Sequence, residues 1–299
     1  MEPWTISAIH DVLADAMRNN DPVTIMRLVT EQIESTEGAE KAYWLRYRAM
    51  AKRRYGHALN RASVEADLTE ANLADPSDVT SAVKDILNQA VVQQHLSLLA
   101  QIDRRLRPAI RKELYGDWRY WTQIGHLHRL RRRFYQAYRA FSRALRLFLN
   151  ISPEEMRNNR GWTIAVSSSQ ARAALRVGRL DEAVISLDRA IAVDREVDRR
   201  HMNPIHLAIA QAEVSFAMGR YAEAIHAMQM GRSRAAAKEF RPMPSDQIDT
   251  ALIAARVARA EGNMAGFQHF CQQALDMALD NNLPLTATEV QAVMDGAIW

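Results

Sequence analysis

Apolar residues in the second half of the chain return four times in one order. The copies run 125–145, 171–191, 212–232 and 255–275. Arg132, Gly178, Gly219 and Gly262 serve as reference positions. Gly125, Ala171, Ala212 and Ala255 stand seven residues before them, and Phe134, Leu180, Tyr221 and Met264 two residues after. Ala137, Ala183, Ala224 and Phe267 follow at five, Phe141, Leu187, Met228 and Cys271 at nine, and Ala144, Ala190, Gly231 and Ala274 at twelve. Steps of three and four residues put the last three columns on one face of a helix. Small columns let two helix backbones approach, the large column fills the space between hairpins, and Gly at the reference position allows the positive φ at which a helix ends. The reference residues are 46, 41 and 43 residues apart. A period in that range marks a stack of repeated supersecondary units, which builds an extended concave binding surface.

The first 115 residues also read as helices. Ile6, Ile9, Val12, Leu13, Ala16 and Met17 form a helical stripe; Asp21 and Pro22 open a second helix that Gly38 breaks; third and fourth helices flank Gly56. Asp75-Pro76 starts a long helix over 77–107, ending before Pro108. Pro153, Pro204, Pro242, Pro244 and Pro284 fall between copies, where helices start or stop. Residues 286–299 read as a terminal helix with a Thr cap and an apolar tail.

The columns resemble the tetratricopeptide repeat (TPR), in a long-repeat bacterial form. In the first copy Trp121, Ile124, Gly125, Ala137, Phe141 and Ala144 occupy the family's signature places; His128 stands where Tyr is usual, Arg132 replaces the turn Gly, and Phe267 replaces an Ala in the fourth copy. The resemblance implies an all-α fold: a right-handed superhelix, or solenoid, of stacked antiparallel hairpins. It divides the chain into helical hairpins at 1–115, which are degenerate repeats or a separate bundle, four repeats at 116–282 and a capping helix at 283–299. It also implies that the first helix of each hairpin lines a groove. By register the exposed groove places are Arg119, Thr122, Gln123, His126 and Arg129; Ser168, Ser169, Arg172 and Arg176; His206, Ile209, Glu213 and Phe216; and Asp249, Leu252, Arg256 and Arg259. Arg grips carboxylates through paired hydrogen bonds, so this lining suits an acidic peptide or a C-terminal carboxylate.

Composition narrows the field. A chain of 299 residues is long for one core but ordinary for a solenoid, and 11 Gly and 9 Pro are few for an all-β fold. The single Cys271 excludes an intrachain disulfide and, on the large-residue column, reads as a buried apolar residue. No apolar run approaches the ~18–20 residues of a membrane span, and the first residues lack a basic leader, so a cytoplasmic location is expected. The net charge is +4, but Arg and Lys outnumber acids thirteen to two between residues 104 and 146. Aromatic residues interleave with those cations, so nucleic-acid binding through 104–146 is the alternative reading. The tail Ala297-Ile298-Trp299 and the uneven charge admit self-association.

Catalytic patterns are missing from the sequence. No Gly cluster cradles phosphate, no His-Glu-x-x-His helix binds zinc, and His126 and His128 face different ways on a helix. Asp194, Asp198, His201 and His206 read as a polar helix end and loop, and the run Ser167-Ser168-Ser169 has no base near it in sequence. The expectation is a non-enzymatic scaffold for a protein or peptide, with a regulatory or peptide-sensing role, and without a cofactor or metal.

Overall fold

A computed structural model describes residues 9–10, 12–13, 16, 21–55, 61–92, 94, 108–152, 156, 160–196, 204–237, 242 and 244–296. The chain is all-α, with no strand among the described residues. Its helices are α1 Pro22–Ser35, α2 Gly38–Tyr55, α3 Arg61–Ala74, α4 Val79–Val92, α5 Pro108–Gly116, α6 Trp118–Leu130 and α7 Phe134–Leu149. They continue as α8 Arg160–Leu175, α9 Leu180–Glu196, α10 Pro204–Ala217, α11 Tyr221–Ala237, α12 Pro244–Ala260, α13 Met264–Asp280 and α14 Pro284–Met294. Two compact units divide within α4, at Met1–Asp85 and Ile86–Trp299.

In the first unit, Ile25, Val29 and Ile33 of α1 pack with Trp44 and Leu45 of α2. Asp21 caps α1, its side chain accepting from the Thr24 N–H at 3.1 Å, with Pro22 at the first helical position. Arg46 reaches Asp85 at 2.9 Å and Asp78 at 3.2 Å, while Arg48 and Lys52 share the buried Asp67 at 2.8 and 2.7 Å. Those ion pairs tie α2 to α3, to the turn that follows and to the start of α4.

The second unit is a TPR-like helical solenoid. Hairpins α6–α7, α8–α9, α10–α11 and α12–α13 follow in order, α8 lies against α7 and α10, α10 against α12, and α14 against α13. The columns read from the sequence sit where the packing needs them. Ala137, Ala183, Ala224, Phe141, Cys271, Ala144, Ala190 and Ala274 are all buried. A Cβ on Gly125 would come within 2.7 Å of the Phe141 ring, so that position keeps α6 against α7. All four reference residues turn through positive φ: Gly178 at 75°, Gly219 at 74°, Gly262 at 77°, and Arg132 at 56°. Arg132 thus takes the glycine conformation at a cost of about 1–2 kcal/mol. A fifth such turn, at Asn282 (φ 51°), leads into α14. Phe134, Leu180 and Tyr221, two residues past the turns, are half-buried and Met264 is exposed.

Two expectations change. The long helix over 77–107 ends at Val92, because Gln94 adopts a φ of 55°. Its expected end before Pro108 lies outside the described residues, and Pro108 itself opens α5. The terminal helix begins at Pro284 with Leu283 as its cap, not with a Thr cap. Thr286 sits in its first turn and does something else: its N–H donates to Gln94 Oε1 at 2.9 Å, and its hydroxyl accepts from Gln94 Nε2. Gln94, two residues past α4, and the last helix of the stack therefore meet. Much of the first expected helix, the region of Gly56, Pro153 and the tail Ala297-Ile298-Trp299 lie outside the described residues.

Candidate functional site

The first helices of the last three hairpins, α8, α10 and α12, stand side by side and turn one polar face toward a common centre. α8 brings Ser169, Arg172 and Arg176, α10 brings His206 and Glu213, and α12 brings Asp249 and Arg256. These residues recur at steps of three, four and seven, which is one side of a helix. The other sides are held by Ala171, Ala174, Ala212, Ala255 and their apolar neighbours, so each helix has one orientation available.

Glu213 is the hub. Its carboxylate takes Arg172 Nε at 2.8 Å, Arg176 Nη2 at 3.0 Å and Arg256 Nη1 at 3.5 Å. Arg172 continues to Asp249 on α12, Nη2 to Oδ2 at 2.8 Å, and so spans two hairpins. Arg172 is only 9% exposed and Glu213 5%. In such surroundings an isolated charge is untenable and a paired one is strongly held. Burial works to raise the Glu213 carboxyl, but Arg172, Arg176 and Arg256 outweigh it and hold it well below the usual range. Burial also opposes the charge of Arg172, and Asp249 and Glu213 overcome it. Arg256 is pushed down to about 10, by burial first and then by Arg176.

Histidines and a third carboxylate complete the centre. Burial, then Arg172, pushes His206 down to about 4, and burial with Arg129 holds His126 well below its ordinary value. Both imidazoles are neutral at pH 7. His126 stands edge-on to Phe141 with ring centres 5.0 Å apart. Glu289, from α14, feels Arg129, Arg176 and Arg256; burial still raises its carboxyl. Arg129 has no carboxylate within ion-pair distance among the described residues. Among the described residues, four guanidinium groups therefore face three carboxylates, and burial works against the charged form of Glu289.

Most residues chosen from the sequence gather here: Arg129, Ser169, Arg172, Arg176, His206, Glu213 and Arg256, with His126 at the edge. Gln123 is half-buried on α6, and its Oε1 is buried without a hydrogen-bond partner. Arg119 and Arg259 are exposed and lie over aromatic rings, of Trp118 at 4.6 Å and Phe267 at 5.4 Å. The expectation that the groove places are exposed needs correction at Thr122, Ser168, Ser169, Arg172, Ile209, Glu213 and Leu252, which are buried. Neighbouring first helices pack too closely to leave those positions open, and Arg172 bridges from α8 to α12. Ser167 and Ser168 are wholly buried on α8, where small side chains admit three neighbouring helices. Glu289 was not singled out from the sequence; a lone acid on a capping helix carries no signal until that helix is placed.

The fold class is a TPR-like helical solenoid. No family model matches the chain, and no curated protein matches it. Among solved structures, yeast Tom70 is similar over 93% of this chain and 60% of its own, with 14% identity and a TM-score of 0.43. The chain thus spans less than two thirds of that protein, and a likeness of that strength says nothing of partner or role. Among the described residues no helix is long and apolar enough to cross a membrane.

Proposed function

We propose that the polar face of α8, α10 and α12 binds a protein or peptide segment through an acidic side chain or a C-terminal carboxylate, and that the chain is a non-enzymatic scaffold with a regulatory or sensing role. The observation that carries this reading is the surplus of guanidinium over carboxylate in a partly buried centre. There an added carboxylate meets Arg129 and Arg176 in low dielectric and displaces the weakly held charge of Glu289. A ligand that repairs the charge balance of α6, α8, α12 and α14 together also tightens the stack, which is how a scaffold of this kind reports occupancy.

One juxtaposition favours catalysis at first sight and then argues against it. Ser169 Oγ lies 3.4 Å from His206 Nε2, a Ser–His pair that sequence distance hid. The contact is longer than the 2.6–3.2 Å of a working nucleophile and base. Ser169 is buried within α8, where backbone N–H groups are engaged in the helix and form no oxyanion site. A histidine titrating at about 4 is also a weak base at neutral pH.

The test is a titration with an oligo-glutamate peptide, using Arg129→Gln as the comparison. Arg172 is unsuitable for charge reversal, since a carboxylate there would face Glu213 and Asp249 and unfold the stack. The native chain is expected to bind with an affinity that falls as salt rises, and Arg129→Gln to bind about tenfold more weakly. Equal affinity in both proteins removes the inner face as the site.

A further inference from the structure

The first hairpin holds a cavity of its own. A cavity of about 660 Å³ runs between α6 and α7, with Trp121, Ile124 and His128 on one side and Arg139, Arg143 and Arg146 on the other. Its size is that of a small-molecule pocket. The local sequence dictates the arrangement. Helix α7 buries Ala137, Ala140, Phe141, Ala144, Leu145 and Phe148, so Arg139, Arg143 and Arg146, four and three residues apart, emerge together on the opposite side.

Three observations concern what the cavity would hold. Arg139 and Arg146 have no acidic partner among the described residues. Arg143 is oriented in advance: its guanidinium lies 4.4 Å from the centre of the Trp121 ring and 5.8 Å from that of Tyr115, and Nη2 donates to the Tyr115 carbonyl at 3.3 Å. A stacked arginine keeps the rest of its planar donor fork for an anion. His128 Nδ1 is buried without a hydrogen-bond partner at the same wall. Glu182 accepts from Tyr138 of the lining, and its charge is already met by Arg179 at 2.6 Å. Between the arginines, Ile124, Ala140 and Leu147 form an apolar floor.

We propose that this cavity binds the phosphate of a nucleotide-sized organic phosphate, with Arg139, Arg143 and Arg146 on the phosphate oxygens and the apolar floor under the rest of the ligand. Burial, followed by Arg131 and Arg133, keeps His128 below its ordinary pKa, so its neutral ring offers one donor and one acceptor rather than another cation. The same phosphate chemistry arises from a free nucleotide or from the backbone of a single nucleic-acid strand.

The experiment titrates the full chain, by its Trp fluorescence at low salt, with adenosine monophosphate, inorganic phosphate and an oligothymidylate strand. Variants are Arg139→Glu/Arg146→Glu and Arg143→Lys. Saturable binding of the mononucleotide, weakened about tenfold or more by the double reversal and also by Arg143→Lys, supports a built phosphate site. Binding of the strand alone, with a steep salt dependence and the same loss in both variants, assigns the site to a polynucleotide backbone. Three results overturn the proposal: no binding of any probe, affinity unchanged in the double variant, or Arg143→Lys binding as the native chain does, since the last means a general positive field. Arg129→Gln, which tests the inner face, must leave the affinity unchanged.

Discussion

Two sets of arginines in the same solenoid meet opposite surroundings. On α8 and α12, Arg172, Arg176 and Arg256 converge on one buried carboxylate, Glu213. On α7, Arg139 and Arg146 stand exposed with no acidic partner among the described residues, and Arg143 rests on an aromatic ring. Both sets sit on helical faces with helical spacing, and nothing in their immediate sequence separates them. The difference is the neighbour. The inner helices stack on other inner helices, so Arg172 meets acids 41 and 77 residues away. Among the described residues the outer side of the first hairpin has no such acid paired to Arg139 or Arg146. A cation's partner in a solenoid is therefore chosen by stacking order, and the same residue type becomes a structural tie on one face and an open anion receptor on the other.

The strongest way to break this comparison is at the hub. Glu213→Ala leaves three guanidinium groups gathered without their shared acceptor, and a loss of about 3–5 kcal/mol is expected in urea unfolding. An unchanged midpoint would mean that the inner arginines are as well hydrated as the outer ones.

The pH dependence probes the same centre from another side. The pKa of His206 is lowered to about 4 in the fold, against about 6.5 in the unfolded chain. Between these values the unfolded chain binds a proton that the native state refuses, so stability falls as pH drops from about 6.5 to 4, by about 3 kcal/mol in full. Glu289 works the other way, since its raised carboxyl takes its proton first in the native state. The lowered carboxyl of Glu213 contributes above its unfolded value of about 4.3 and is lost below that. Chemical denaturation across this range, comparing the native chain with His206→Gln, isolates the histidine: the variant should lack that part of the acid sensitivity. Parallel curves for the two proteins would place His206 in water.

The smallest effect is expected outside. Arg139→Ala/Arg146→Ala removes two surface cations without an acidic partner among the described residues and should move the unfolding free energy by less than about 0.5 kcal/mol. A loss of several times that would reveal a hidden structural role and make the two faces alike.

Much of the stack was legible from the residues alone. The turn column predicts chain reversals at Gly178, Gly219 and Gly262, and even Arg132 follows it, with φ 56°. Packing at that corner outweighs the local preference of a side chain for negative φ. The small and large columns predict burial, and burial is what Ala137, Phe141, Ala144 and Cys271 show. Less was legible at the site. Register identified Arg172, Glu213 and Asp249 as neighbours on a groove, but as open positions. It did not show that Arg172 crosses from α8 to α12, because a one-dimensional register carries no distances between helices. The Ser169–His206 approach and the Gln94–Thr286 bond were hidden for the same reason: they join residues 37 and 192 apart through the path of the stack.

The sequence by itself determined the helical columns of the four repeats, where each of those hairpins turns and which side of their helices is apolar, since those follow from spacing and side-chain size within a single hairpin. Tertiary structure alone decided which charges are paired, which polar atoms are buried and which face stays open, because electrostatic partners and water access depend on distances between helices that no local spacing encodes.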